Sequence, residues 1–196
     1  AVREAMPNAV ILRPSVVFGP EDGFLNRFAS LATSPIASFL PILPAIGGGN
    51  TKVQPVYAGD VADAIMAAVT REDASGNTYE LGGPSTYTFI DIYAFIGKTI
   101  DRTRYNIWLP FLIAKPLGYL LAITWRYIPP FSWGFLGDVP LTGDQVELLK
   151  TDNTVSDGAL TLADLGVTEL ETMEAIAPSY LGRFRPYGEF HEASEA

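Results

Sequence analysis

Residues 11–24, ILRPSVVFGPEDGF, decide the fold. The β-branched residues Val10, Ile11, Val16 and Val17 read as a buried strand over 10–18. Gly19-Pro20 forms a tight corner, because proline cannot donate to a ladder or continue the strand. Asp22 is placed to cap a helix, and Phe24, Leu25, Phe28 and Leu31 follow it at helical spacing. Strand, corner and helix in that order make one step of an α/β sheet.

The same step recurs outward from it. TKVQPVYAGDVADAIMAAVT, 51–70, gives a short strand, a corner at Gly59 and a helix capped by Asp60, with Asp60 and Asp63 resembling a capping box. NTYELGGP, 77–84, is another strand and turn, and Thr88 caps the amphipathic helix TFIDIYAFIGKTID. SPIASFLPILPAIGGGN, 34–50, is broken by proline and glycine and reads as loop. Short helices are expected at GDQVELLK, TLADLG and ETMEAIAPSYL. Strands alternating with helices, then mostly helix, predict an α/β fold. The expectation is the C-terminal part of a doubly wound, Rossmann-type parallel sheet with a mainly helical lobe. Residues 1–101 would supply the sheet end and part of a cleft, 102–182 the lobe, and 183–196 a polar tail.

Composition narrows the chemistry. A formal net charge of −9 argues against nucleic-acid partners. The absence of cysteine excludes disulfides, Fe–S clusters and thiol catalysis, and a lone histidine, His191, excludes a His-rich metal site. The acid pairs Glu21/Asp22 and Asp60/Asp63 sit at helix starts, where the helix dipole stabilises them, so no metal is expected. AVREAMPN has neither an initiator Met nor an apolar stretch, and these residues are expected to be the later part of a longer protein.

From Arg102 to Gly137 there is no acidic residue, yet Arg102, Arg104, Lys115, Arg126 and all three tryptophans lie there. Within it, IWLPFLIAKPLGYLLAITW has the length of a membrane span. Lys115 in its middle and Pro116, expected to break the helix, argue against one. Two readings stand: a segment whose Trp108, Lys115, Trp125, Arg126 and Trp133 meet a membrane surface or a partner, or an ordinary buried helix pair with snorkelling cations. Periodicity does not separate them.

The order RPSVVFGP (13–20), QPVYAGDVADAI (54–65), YELGGPSTYTFIDI (79–92) resembles the C-terminal half of extended and atypical short-chain dehydrogenase/reductases of the epimerase–dehydratase type. FGPEDGFLNRFA, GGGNTKVQPVYAGDVA and LTGDQVELLKTDN resemble, more narrowly, the branch found as a nucleotide-binding accessory subunit of respiratory NADH:ubiquinone oxidoreductase, complex I. The resemblance implies that Pro14, Ser15, Val16 and Val17 lie beside the nicotinamide of NAD(P)H. Apolar Val16 and Val17 suit the ring face, and Pro14 turns neighbouring amides and carbonyls toward a carboxamide. A core strand with Arg13 ion-paired near its end is the plainer reading of the same residues. The resemblance also implies a cleft lined by Gln54 and Tyr57, with Asn26 and Arg27 as further candidates.

The glycine fingerprint for a pyrophosphate is absent, and none of the nine tyrosines has a lysine four positions later. Most of the cofactor would therefore be held by residues outside this chain, and no catalytic residue is assigned within it. The resemblance implies complex I subunits as partners. It also implies a peripheral location, on the matrix face of the mitochondrial inner membrane or the cytoplasmic face of a bacterial one. An NAD(P)-dependent epimerase, dehydratase or reductase, and a nucleotide-free interaction module, remain the alternatives.

Overall fold

The computed structural model describes residues 2–34, 41–127, 142–186 and 188, and for 121–127 the backbone only. The chain divides into two compact units that interleave in sequence. Ala1–Phe24, Lys52–Tyr87 and Asn153–Pro178 form the first; Leu25–Thr51, Thr88–Asp152 and Ser179–Ala196 form the second.

In the first unit the expected strand over 10–18 is two strands, Ile11–Pro14 and Val17–Phe18. The break comes where the chain changes partner. Ile11–Pro14 pairs in parallel with Thr78–Leu81, and Val17–Phe18 pairs in parallel with Val56–Tyr57. The Ser15 amide donates to Leu81 O at 2.9 Å, and the Val56 amide donates to Val16 O at 2.9 Å, so the hand-over falls between adjacent residues. Val56, Ala64, Tyr79, Leu81, Leu162 and Leu165 pack together as the core of this unit. Burying each such leucine contributes about 1.5–3 kcal/mol.

One side chain ties three segments of this unit. Gln54 Nε2 donates to Gly83 O at 2.8 Å, and its Oε1 accepts from the Val155 amide at 3.0 Å. The glycines of GGP make room for it. A Cβ at Gly82 would sit 2.5 Å from the Gln54 side chain, and one at Gly83 would sit 1.9 Å from Pro55 O. A glycine pair is therefore demanded here by close approach rather than by turn geometry.

Asp60 does not cap its helix. That helix is Ala58–Thr70 with Tyr57 at the N-cap, so Gly59 lies inside the first turn and Asp60 is the third helical residue. Its carboxylate is buried and accepts from the Glu171 amide at 3.1 Å, tying the helix start to the 153–178 segment. Asp22 likewise closes a corner: it accepts from the amides of Gly19 (3.1 Å) and Phe24 (2.9 Å), and the helix itself begins at Leu25.

In the second unit, residues 42–46 are a strand and not the expected loop. Ile42–Ile46 pairs in parallel with Tyr105–Leu109 along its whole length. Its apolar side chains outweigh Pro44, which a short two-stranded ladder tolerates. Thr88 caps the Phe89–Thr99 helix in a reciprocal capping box with Asp91, as expected. Phe28 meets the rings of Tyr93 (5.1 Å) and Phe89 (6.0 Å) edge-on, fixing the Leu25–Thr33 helix to that helix.

Pro116 does not break its helix, which runs from Phe111 to Tyr127. Proline strips the fourth residue before it of a hydrogen-bond partner; that residue, Leu112, is 87% exposed, where water can serve its carbonyl. The inner side of this helix packs on Gly143–Leu148 through Ala114 and Val146. A Cβ at Gly118 would lie 2.9 Å from the Gly143 amide, so small residues set this contact. No helix among the described residues is long and apolar enough to cross a membrane.

Two outcomes follow from these contacts. Burial, more than the nearby charges of Glu171 and Asp63, raises the Asp60 carboxyl above 3.8, against the lowering effect of the Glu171 amide. The folded state then holds its proton more tightly than the unfolded chain, and this group's contribution to stability falls as pH rises from 3.8 through the raised folded value. Asp60→Asn keeps the acceptor and loses that fall, so the variant gains on the wild type across this window in urea unfolding. A constant difference from about pH 3 to about pH 7 would contradict the assignment. Gln54→Ala strands Gly83 O and the Val155 amide together and costs about 1–3 kcal/mol in the same assay; an unchanged midpoint would show that the clamp contributes nothing.

Candidate functional site

The site builds from the hand-over at Ser15–Val16. In the parallel ladder, residues alternate in the edge they face. Ile11 and Ser15 donate toward the 77–81 segment, whereas Val16 accepts from Val56 on the other edge. Val17 therefore turns its N–H and C=O to the first edge, beyond Leu81, where the Thr78–Leu81 strand has ended. Outside the carboxyl ends of parallel strands is where α/β sheets take their ligands.

A cavity of about 340 Å³ opens beside Pro14 and Ser15, lined also by Arg13, Glu80, Asn153 and Ser156 among others; Val16 and Val17 are not part of its lining. Pro14 is exposed, and Ser15, Val16 and Val17 are half-buried. Ser15 Oγ donates to Asn153 O at 2.6 Å and accepts from the Gln54 amide at 3.3 Å, so it fixes the cavity wall. Arg13 reaches Glu80 at 3.6 Å, the ion pair expected near the strand end. Glu80 Oε2 also accepts from the Ser156 amide at 2.8 Å. That hydrogen bond chiefly, with Arg13 a lesser cause, holds the Glu80 carboxyl below its ordinary value. It remains a carboxylate near neutrality: it can accept hydrogen bonds but has no proton to deliver. The lining can grip a polar group and orient an apolar one.

The other residues named from the sequence divide between the units. Gln54 and Tyr57 share the first unit with Pro14–Val17. Gln54 is the clamp described above. Tyr57 packs on Phe18 with ring centroids 5.7 Å apart, and Gly59 leaves space for the ring, since a Cβ there would come within 2.5 Å of it. Asn26 and Arg27 lie on the Leu25–Thr33 helix of the second unit, where Asn26 accepts from Arg183 at 2.8 Å.

Trp108 is 67% exposed on the Tyr105–Leu109 strand. Lys115 is ion-paired with Glu147 at 2.7 Å. The side chains of Trp125 and Arg126, and the whole of Trp133, lie outside the described residues. Sequence reading passed over Glu80 and the stretch Asn153–Ser156 as parts of a site. The latter comes from more than a hundred residues along the chain, and no periodicity in TDNTVS marks it. Among the described residues, no three His, Asp or Glu side chains converge as metal ligands.

Residues 1–82 match the NAD dependent epimerase/dehydratase family. The chain is 38% identical over 84% of its length to "NADH dehydrogenase [ubiquinone] 1 alpha subcomplex subunit 9, mitochondrial" of Arabidopsis thaliana, covering 39% of that protein. It is 32% identical over 89% of its length to the Mus musculus protein of the same name, covering 43% of it. The chain thus spans less than half the length of these curated relatives. In fold it is similar to the crystal structure of gox2253, with a TM-score of 0.55, 18% identity, and coverage of 92% of this chain and 50% of that one. Residues 1–82 are thus similar to the NAD dependent epimerase/dehydratase family, and over most of its length the chain is similar to the alpha subcomplex subunit 9 proteins.

Proposed function

We propose that the protein is an accessory subunit of respiratory NADH:ubiquinone oxidoreductase, peripheral to the inner membrane, that holds a nicotinamide dinucleotide without turning it over. The observation that carries this reading is the extent of the likeness. The epimerase/dehydratase match ends at residue 82, whereas the likeness to subunit 9 covers 84–89% of the chain at 38% and 32% identity and so must extend beyond it. An epimerase structure, that of the Helicobacter pylori ADP-L-glycero-D-manno-heptose-6-epimerase, is similar in fold over 88% of the chain but at 13% identity, so the sequence likeness and not the fold favours the accessory branch.

The nicotinamide end would lie at Pro14–Val17. Three features of that strand support it: a cavity of about 340 Å³ beside Pro14 and Ser15, the outward edge of Val17, and half-buried valines to meet a ring. A carboxamide suits a strand end that presents one N–H and one C=O. The adenosine half would rest elsewhere, since the chain has no glycine fingerprint for a pyrophosphate.

The Phe111–Tyr127 helix supplies the docking face. Leu112, Ile113, Leu117 and Leu120 are 87%, 54%, 39% and 57% exposed, and with Pro116 they fall on one side of the helix, opposite buried Ala114 and Gly118. An apolar face on the exposed side of a helix marks an interaction surface. Its occupant is another subunit rather than anionic lipid: Lys115, the described cation beside that face, is already held by Glu147, which binds Lys150 as well.

Native electrophoresis of gently solubilised membranes tests the assignment. The protein should migrate in a large band that oxidises NADH, and the isolated protein should release nicotinamide dinucleotide on denaturation without having consumed it. Leu112→Asp with Leu120→Asp, both at exposed positions, should leave the unfolding free energy within about 0.5 kcal/mol of the wild type and remove the protein from the large band. Migration as a small species in the wild type would overturn the assignment. Retention of the double variant in the large band would overturn the docking face, and its flotation with vesicles in place of the band would turn that face to lipid.

A further inference from the structure

In the second unit, the chain leaving the Phe89–Thr99 helix turns at Asp101, whose φ of 53° is the only positive value at a described non-glycine residue. The turn and the strand after it enclose a cavity of about 400 Å³, lined by Tyr93, Lys98, Asp101, Arg102, Arg104 and Asn106 among others. Three cations therefore border one space with a single acid.

Elsewhere, four described cations meet an acid, while Arg3, Arg183 and Arg185 are held singly by neutral acceptors, Thr78 Oγ1, Asn26 and Thr99 O. The chain has 22 acidic and 13 basic residues, so a base meets an acid easily. Arg71 pairs with Asp73, Arg13 with Glu80, and both Lys115 and Lys150 with Glu147. Among the described residues, none of Lys98, Arg102 and Arg104 is ion-paired. Arg104 is fixed in place by carbonyls: Nε and Nη2 donate to Ala32 O at 2.8 and 2.6 Å, and Nη1 donates to Thr103 O at 2.9 Å. These contacts satisfy its geometry and leave its charge uncompensated. Burial first, and the charge of Arg102 second, lower its affinity for its proton. Arg102 keeps a buried Nε with no hydrogen-bond partner. A helix C-terminus accounts for Lys98, since cations are favourable there. It does not account for the two arginines beyond it, one uncompensated and one with an orphaned donor.

We propose that this cavity is a binding site for a phosphate-class anion, either free inorganic phosphate or the phosphomonoester headgroup of a lipid. Arg102 would meet a pair of oxygens with its planar fork, satisfying Nε by a rotation of the guanidinium. Lys98 would contribute a mobile point charge, while Arg104, held on Ala32 O, would supply a fixed field. The site is distinct from the cavity at Pro14–Ser15, and it does not depend on the accessory-subunit reading.

The test uses the full chain, titrated calorimetrically with inorganic phosphate against chloride at equal ionic strength. In parallel, the protein is floated with phosphatidylcholine vesicles, with and without phosphatidate. Saturable phosphate binding, weakened at least about tenfold by Arg102→Gln and by Lys98→Gln but not by Lys150→Gln, supports a soluble ligand. Flotation with phosphatidate vesicles alone, lost in the same two variants, supports a headgroup. Lys98 is exposed, so its variant keeps the test valid if Arg102→Gln unfolds. Binding of neither probe, or binding unchanged in both variants, overturns the proposal.

Discussion

The first unit depends on one constraint: the strand from Ile11 to Phe18 must satisfy two parallel partners in succession. The Ser15 amide closes the ladder with Leu81, and one residue later the Val16 carbonyl opens the ladder with Val56. The neighbouring segments are shaped by this hand-over. The Thr78–Leu81 strand has to leave its edge after Leu81, and it does so through two glycines that pass close to Gln54 and Pro55. Gln54 can then bond Gly83 on one side and Val155 on the other, bringing the 153–156 segment to the strand ends. The cavity beside Pro14 is what remains when one strand stops and its neighbour continues.

The two units differ in which charges they pair. In the first, polar groups close on one another. Glu80 receives Arg13 and the Ser156 amide, Asp60 receives the Glu171 amide, and Tyr87 donates to Glu174 at 2.8 Å. Burial first, then that carboxylate, push the Tyr87 hydroxyl up to about 12, so it stays a donor. In the second unit the pairing is uneven. Glu147 is shared by two lysines, while Lys98, Arg102 and Arg104 border a cavity without an ion-pair partner among the described residues.

Much of the fold was legible because its signals are local. Thr88 with Asp91 three residues later is a capping box, and the helix begins there. The strand at 78–81 stands out by pattern between turn residues. Failures came where tertiary contact overrode local sign. Ile42–Ile46 looked like loop because prolines and glycines crowd it, yet its ladder partner lies sixty residues away. Asp60 looked like a cap because acids favour helix starts, but its helix begins two residues earlier and the carboxylate serves Glu171 instead. Pro116 looked like a breaker, but the residue whose carbonyl it leaves unbonded, Leu112, is exposed, so the helix continues.

The candidate site divides along the same line. RPSVV is readable because a β-branched strand ending at proline and glycine is a local pattern. Asn153–Ser156 is not, since nothing in TDNTVS announces that Val155 will bond Gln54 a hundred residues earlier. The unpaired cations had a sequence signal of another kind: a block from Arg102 to Gly137 without a single acid. From the sequence alone that block reads equally as a segment facing a membrane or partner and as a buried helix pair with snorkelling cations. The structure divides it, giving Lys115 an acid from the Gly143–Leu148 helix and leaving Arg102 and Arg104 with none. Charge segregation along a chain therefore locates an electrostatic excess only coarsely. Which cations remain uncompensated is decided by what folding brings beside them.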